Sequence, residues 1–142
     1  MNAREYLEQV SDYKIKVEQR VFHLETLCHI QERTRDLKIQ CGKLLGPHAL
    51  PNIGNDFQNQ LADGEKDLLD EVQGFLYLKS EISDMLSQLP DNDELLILEK
   101  RYINGEKWER IQNDLHLSKS SVFRKHRSAL KNLDEILKNV GT

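Results

Sequence analysis

The chain has 142 residues, a net charge of −4, and a charged fraction of 31% against 38% hydrophobic residues. Only seven glycines and three prolines interrupt it, so the composition favours long helices over sheets. No apolar run approaches the roughly 20 residues that a membrane span needs, and the first residues lack the apolar core of a signal peptide. We therefore expect a soluble, cytoplasmic, all-α protein that makes no membrane contact.

Charge is distributed unevenly along the chain. Residues 1–89 carry ten Lys and Arg against fifteen Asp and Glu, whereas residues 90–142 carry ten against nine. The acidic excess therefore belongs to the N-terminal part. Because phosphate attraction depends on the charge at the docking face, a local basic surface can bind nucleic acid despite the acidic total.

The N-terminal part predicts one long helix. No Pro or Gly occurs from Asn2 to about Ile39, and apolar residues recur at a three/four spacing. This narrow stripe suits a helical hairpin or coiled coil, and a simple amphipathic helix packed on its own domain explains it equally well. The stripe consists of Leu7, Val10, Tyr13, Val17, Val21, Leu24, Cys28 and Gln31.

Glycines, prolines and lost spacing then mark a connector over residues 41–58. A second helix is predicted from about Asn59 to Leu89, and its partner is either the first helix, in an antiparallel pair, or a second copy of the chain. We predict that residues 1–89 form a helical hairpin or coiled coil for assembly or partner contact. The second helix carries a heptad seam of Leu68, Val72, Phe75, Lys79, Ile82, Leu86 and Leu89.

Residues 90–142 predict a separate domain of three helices. Asp91 and Glu94 form a capping-box pattern that opens a helix through Tyr102, and Asn104-Gly105 ends it. This helix has a core stripe of Leu95, Leu98 and Tyr102.

The stretch from Trp108 to Leu133 predicts two helices joined by a tight turn at His116-Leu117, with Ser118 capping the second helix. The last helix continues through Ile136 and Leu137 and frays near Gly141. The helical spacing predicts a buried face made of Ile111, Leu115, Val122, Ala129 and Leu133.

The second of these two helices is rich in basic and small polar residues over its early turns. No Asp or Glu occurs between Asp114 and Asp134. A solvated helix face would explain such a run, but its position directly after a two-helix turn pattern favours nucleic-acid binding. Lys119, Ser120, Ser121, Arg124, Lys125 and Arg127 crowd its early turns.

The segment from Leu89 to Leu133 resembles the promoter-binding region 4 of bacterial sigma factors. It resembles still more the ArpU/RinA-type regulators encoded by phages and prophages of Gram-positive bacteria. The shared features are the opening Leu-Pro, an Arg-Tyr before a short turn, a helix led by Trp-Glu, and S-K-S-S-V-F-R followed by A-L-K-N-L. The opening M-N-A-R-E-Y-L-E-Q-V is similar to that of small phage proteins with the same C-terminal unit.

This resemblance implies a three-helix, sigma region 4-like helix-turn-helix, with base contacts from Lys119, Ser120 and Arg124. It also places Lys107, Ser121 and Arg127 near phosphates. The sequence departs from the pattern where Gln112 and His116 replace the usual Ala and Gly, and where Lys125 and His126 occupy positions at which one apolar residue is expected.

The expected function is a DNA-binding transcriptional regulator with residues 119–131 in the major groove, which is wide enough to admit a helix. Phosphate contacts position such a helix without specifying sequence, and those expected here come from Lys107, Ser121, Lys125, Arg127 and Lys131. The alternative is a protein-interaction module that docks RNA polymerase or another regulator and contacts DNA weakly. A homodimer through the N-terminal helices is compatible with both functions.

We expect no enzyme activity, no cofactor and no metal. No nucleophile–base arrangement with a recognisable spacing occurs. Two cysteines, Cys28 and Cys41, form no C-x-x-C pair, and His23, His29 and His48 do not complete the spacing of a structural zinc site.

Overall fold

The computed structural model describes residues 1–46 and 55–141, the side chains of residues 55–57 excepted. Every regular element of these residues is a helix, which confirms the all-α class with a long N-terminal helix pair and a C-terminal helical bundle. No helix in the described part is long and apolar enough to span a bilayer. The elements are α1 (Ala3–Leu45), α2 (Asn55–Leu86), α3 (Asn92–Leu98), a π-helical turn (Glu99–Ile103), α4 (Trp108–Leu115) and α5 (Lys119–Val140).

Helix α1 begins with a reciprocal cap and ends at a glycine. The Asn2 side chain accepts from the Glu5 backbone N–H at 2.8 Å, and the Asn2 N–H donates to the Glu5 carboxylate at 3.1 Å. The helix passes through Gly42, which disfavours it by only about 1 kcal/mol, and stops at Gly46, whose φ is 100°. The connector predicted over residues 41–58 is therefore too long, because residues 41–45 and 55–58 are helical. Residues 47–54 lie outside the described residues.

The chain divides into two compact units. Unit 1 comprises residues 1–14 and 75–142, and unit 2 comprises residues 15–74. The boundary predicted at Pro90 does not coincide with this division, since it lies inside unit 1.

The main core of unit 1 explains that difference. Its buried side chains come from the start of α1, the end of α2, α3 and α5, so the N-terminal residues complete the core of the C-terminal bundle. Burying each Leu or Ile contributes about 1.5–3 kcal/mol, which makes this junction a substantial part of the unit's stability. The cluster consists of Ala3, Leu7, Val10, Ile82, Leu86, Leu89, Leu98, Ala129 and Leu133.

A second, smaller core holds α4 against its neighbours. Ile97, Ile111 and Val122 are each 0% exposed and bring α3, α4 and α5 together. Ile97 is not part of the core stripe predicted for its helix, yet it is fully buried. The partly buried side chains of Trp108, Leu115 and Leu117 pack against this cluster.

Within unit 2, α1 and α2 form an antiparallel pair. Arg20 lies 3.5 Å from the Asp67 carboxylate and 3.7 Å from that of Glu71. Farther along α1, a Cβ added to Gly64 would lie 2.7 Å from the Leu24 side chain, so the glycine allows the two helices to approach closely.

The contact stripe of α1 in unit 2 differs from the predicted one. Leu27 is buried, whereas Val21 and Cys28, which were assigned to the stripe, are exposed. The contact stripe passes through Arg20 and Leu27. After Val17, its three-residue and four-residue steps therefore come in the opposite order from those predicted.

The helix predicted to run through Tyr102 changes type after Leu98. The Asn104 N–H donates to the Glu99 carbonyl at 3.0 Å, a bond from residue i+5 to residue i that defines a π-helical turn. This wider turn displaces the following residues from the α-helical register. Gly105, with φ of 67°, then ends the segment where Asn104-Gly105 predicted a stop.

Candidate nucleic-acid interface

A tight turn connects α4 to α5, as the sequence predicts. His116 is left-handed, with φ of 55°, and the Leu117 and His116 N–H groups donate to the Gln112 and Asn113 carbonyls at 3.1 and 3.3 Å. These two bonds form a Schellman motif. The Ser118 hydroxyl then accepts from the Ser121 N–H at 3.2 Å and caps α5. The turn is closed even though His116 occupies a position that favours glycine.

The buried side of α5 fixes its rotation about its own axis. The residues Val122, His126, Ala129 and Leu133 are all buried. On the opposite side, four exposed polar or basic side chains follow the i, i+4, i+7, i+11 spacing of one helix face. We call this surface the α5 basic face, and it consists of Ser120, Arg124, Arg127 and Lys131.

Other predicted contact residues border this face. Lys119 is exposed at the first position of α5, and Lys107 is exposed at the N-cap of α4. Ser121 is half-buried, and its hydroxyl oxygen accepts from the Ser118 hydroxyl at 2.9 Å. Among the predicted residues, therefore, Lys119 and Lys107 are accessible, whereas Ser121 is engaged in the cap.

Lys125 has a different partner from the predicted phosphate. Its ammonium lies 3.1 Å from the Asp93 carboxylate and 3.9 Å from that of Asp91, and the side chain is only 26% exposed. It projects toward the start of α3 rather than along the α5 basic face. Its charge is therefore largely compensated within the protein.

The nearest acidic side chain preceding α5 is also paired. The Asp114 carboxylate lies 3.3 Å from the Lys100 ammonium and 3.9 Å from the Arg110 guanidinium. These partners lie outside the α5 basic face. Asp93 of α3 and Asp114 of α4 are thus paired with cations that lie outside the α5 basic face.

An aromatic cluster supports α5 from the side. The His126 Nε2 lies 2.9 Å from the Tyr102 hydroxyl, and the Trp108 ring meets His126 edge-on at 4.8 Å and Phe123 at 5.0 Å. Burial, with smaller contributions from Arg4, Arg101 and Arg127, lowers the pKa of His126 to about 4. The imidazole is therefore neutral near pH 7. The rings of Phe123 and Trp108 pack against each other within this cluster.

Two arginines near this cluster were not among the predicted contacts. Arg101 lies with its guanidinium 4.9 Å from the centre of the Trp108 ring and donates to the Glu106 carbonyl at 3.1 Å. Arg4 lies with Arg101 and Arg127 along the same cleft. The Arg-Tyr motif marked Arg101 only as a family feature, and no local pattern marks Arg4, because it is distant in sequence.

The histidines and cysteines considered as zinc ligands do not cluster into a metal site within the described residues. Within residues 1–46 and 58–141, no group of three or more His, Cys, Asp or Glu residues could hold a metal ion. The thiols of Cys28 and Cys41 are free, and His48 lies outside the described residues.

Fold and surface together define an all-helical protein whose C-terminal bundle presents a basic helix after a tight turn. A family described as a protein of unknown function (DUF1492) matches residues 54–134. Because the match covers more than half of the chain, the protein belongs to the DUF1492 family. Comparison with curated proteins and with solved structures gives no match.

Proposed function

We propose that the protein is a DNA-binding transcriptional regulator of phage or prophage type and has no enzymatic role. In this proposal, residues 119–131 of α5 lie in the major groove, as the resemblance to ArpU/RinA-type regulators and sigma region 4 implies. The observation that carries the proposal is the α5 basic face, which is exposed and free of acidic residues and lies opposite a buried helix face.

Each side chain of this face, and each of the two exposed lysines that border it, suits a defined contact. Arg124 can fork onto the O6 and N7 atoms of a guanine, which gives about 1–3 kcal/mol of discrimination against other bases. Ser120 is short and allows close approach to the bases, and Lys119 can make a weaker base contact from the first turn. Arg127, Lys131 and Lys107 supply phosphate contacts, which set register and affinity.

Substitution of two arginines distinguishes these roles. We expect Arg124→Ala to relax sequence preference, and we expect Arg127→Ala to weaken binding to all sequences. Arg127→Ala should also reduce the slope of log affinity against log salt by about 0.9, the value for one lost phosphate contact. The measurement selects duplexes from a random pool and then titrates binding at several salt concentrations.

The exposed Arg33 of unit 2 provides the matched control. Arg33→Ala removes the same charge and should change neither the preference nor the slope. If neither α5 variant alters DNA binding at fixed salt, α5 is not the recognition helix. If the unmodified protein binds no random duplex even at low salt, a module that docks RNA polymerase or another regulator replaces this proposal.

A further inference from the structure

A cleft of about 460 Å³ lies beside α5 within unit 1. We call it the arginine cleft, because Arg4, Arg101 and Arg127 line it together with the rings of Tyr102 and Trp108. Arg127 also belongs to the α5 basic face, so the cleft opens directly beside the proposed DNA-binding surface.

The charges of the arginine cleft favour an anion. Three guanidinium groups face a single carboxylate, that of the exposed Glu8. Neither Arg4 nor Arg127 forms an ion pair with any other described side chain, and both are exposed. Arg101 is held by the Glu106 carbonyl and by the Trp108 ring, so its guanidinium is ordered before a ligand arrives.

The same three arginines also affect the pKa of the nearby His126 imidazole. The pKa of His126 is lowered mainly by burial, and next by Arg4, Arg101 and Arg127 in that order. The three arginines that line the cleft are thus the charged groups that act on this buried imidazole. An anion at the mouth of the cleft would relieve this repulsion among like charges.

The aromatic side chains favour a phosphate group over a whole nucleotide. The Trp108 ring is already in contact with Arg101, Phe123 and His126 at 4.9, 5.0 and 4.8 Å. It therefore offers little surface on which a nucleobase could stack. A guanidinium, by contrast, matches the geometry of phosphate oxygens and can bind two of them at once.

We propose that the arginine cleft binds one further backbone phosphate of the duplex that α5 contacts, with Arg4 and Arg101 as its ligands, next to the phosphate that Arg127 contacts. This inference rests on the proposed function and extends the DNA contact to the N-terminal turn of α1. It assigns a binding role to residues outside the α4–α5 unit.

Arg4→Gln tests the inference in the full-length protein. Arg4 is exposed in the first turn of α1, where the helix dipole disfavours a cation, so the substitution should leave the fold intact. We expect the salt slope to fall by about 0.9. Between 50 and 200 mM salt, the variant should then lose about 3-fold less affinity than the unmodified protein. Arg4→Lys keeps a charge in the cleft and should restore most of the slope.

Arg33→Gln is the matched control, since it removes an exposed arginine of α1 from unit 2. If Arg4→Gln and Arg33→Gln change the slope equally, the effect is one of net charge and the cleft proposal is overturned. If Arg127→Ala changes the slope but Arg4→Gln does not, this inference fails while the proposed function stands. If the unmodified protein binds no DNA, both fail.

The protein's single tryptophan gives an independent readout, because Trp108 lines the cleft. Its fluorescence should change on addition of duplex DNA, and the change should require more DNA in Arg4→Gln. A change produced by inorganic phosphate alone, with no response to duplex, would identify a site for free phosphate and overturn the DNA-backbone proposal.

Discussion

His126 shows how one residue of α5 combines a packing role with a titratable group. It occupies the buried line of the helix, is 6% exposed, and meets Tyr102 through its Nε2 atom. It lies four residues after Val122 and three before Ala129, a spacing that places all three on one helix face. The neighbours that lower its pKa could not be predicted, because Arg4 and Arg101 reach it only through the tertiary fold.

The depressed pKa of His126 predicts a loss of stability in mild acid. The imidazole titrates near 6.5 when unfolded and near 4 when folded, so the unfolded chain takes up a proton first as the pH falls. Stability from this group is complete above about pH 7 and is lost progressively down to about pH 4. The loss should be on the order of 2–3 kcal/mol, measured by urea unfolding across this range.

His126→Gln should remove that part of the pH dependence, whatever its effect on stability at pH 7. The exposed His29 in unit 2 serves as the control, and His29→Gln should leave the profile unchanged. Identical profiles for the unmodified protein and His126→Gln would show that folding does not lower the pKa of His126.

At the scale of elements, the turn between α4 and α5 is closed by a residue that is poorly suited to it. A left-handed conformation costs a residue with a Cβ about 1–2 kcal/mol relative to glycine. The His116 side chain is exposed and forms none of the described hydrogen bonds. The two Schellman bonds and the Ser118 cap maintain the turn despite this strain.

His116→Gly should therefore stabilise the protein by about 1 kcal/mol. The reciprocal change, Gly105→Ala, places a Cβ at φ of 67° and should destabilise by a similar amount. Both values can be measured from urea midpoints at constant m. A destabilised His116→Gly variant would mean that the histidine side chain contributes more to this turn than its backbone strain removes.

Element boundaries were predictable where a local chemical signal exists. Ser118 caps α5, Asp91 accepts from the Asp93 and Glu94 N–H groups, and Gly105 ends the π-helical turn. Glu94 was predicted to form a capping box with Asp91, but its carboxylate accepts from the Asn132 amide at 2.8 Å. A long-range partner of this kind leaves no trace in sequence spacing.

The phase of the α1 stripe was not predictable for a related reason. Apolar residues at both Val21 and Leu27 satisfy a three/four alternation equally well. Contact with α2 decides between them, since Arg20 faces Asp67 and Glu71 across the pair. The partner helix, rather than the hydrophobicity of α1 alone, selects the contacting face, in which Leu27 is buried and Val21 is exposed.

At the scale of the whole molecule, the two units differ in how much apolar surface each buries. Among the described residues of unit 2, only Leu27 and Leu61 are buried apolar side chains, whereas unit 1 contains both core clusters. Local stability follows the density of such buried contacts. We therefore expect unit 2 to open more readily than unit 1.

Hydrogen exchange measured by mass spectrometry tests this difference. Amides of residues 15–45 and 58–74 should exchange before those of residues 82–98 and 120–134. Leu27→Ala should accelerate exchange in unit 2, and Ile82→Ala should accelerate it in unit 1. Equal protection of both units in the unmodified protein would indicate that they unfold as one cooperative body.

The main core of unit 1 extends beyond the region that the family match covers. The DUF1492 match begins at residue 54, but Ala3, Leu7 and Val10 are buried in the main core of unit 1. In this protein the start of α1 therefore completes a bundle that otherwise comes from the matched region. A variant lacking those residues would lose three buried side chains of the main core of unit 1.

From sequence alone, three things were determined: the helical class, the turn between α4 and α5, and the basic exposed side of α5. Helical periodicity, capping residues and the absence of acidic side chains are local properties, so a linear pattern contains them. Tertiary structure decided the division into units, the pairing of Lys125 with Asp93, and the convergence of Arg4 and Arg101 beside Arg127. These arrangements depend on contacts between residues that are distant in sequence but close in the folded core. No local sequence pattern predicts such contacts.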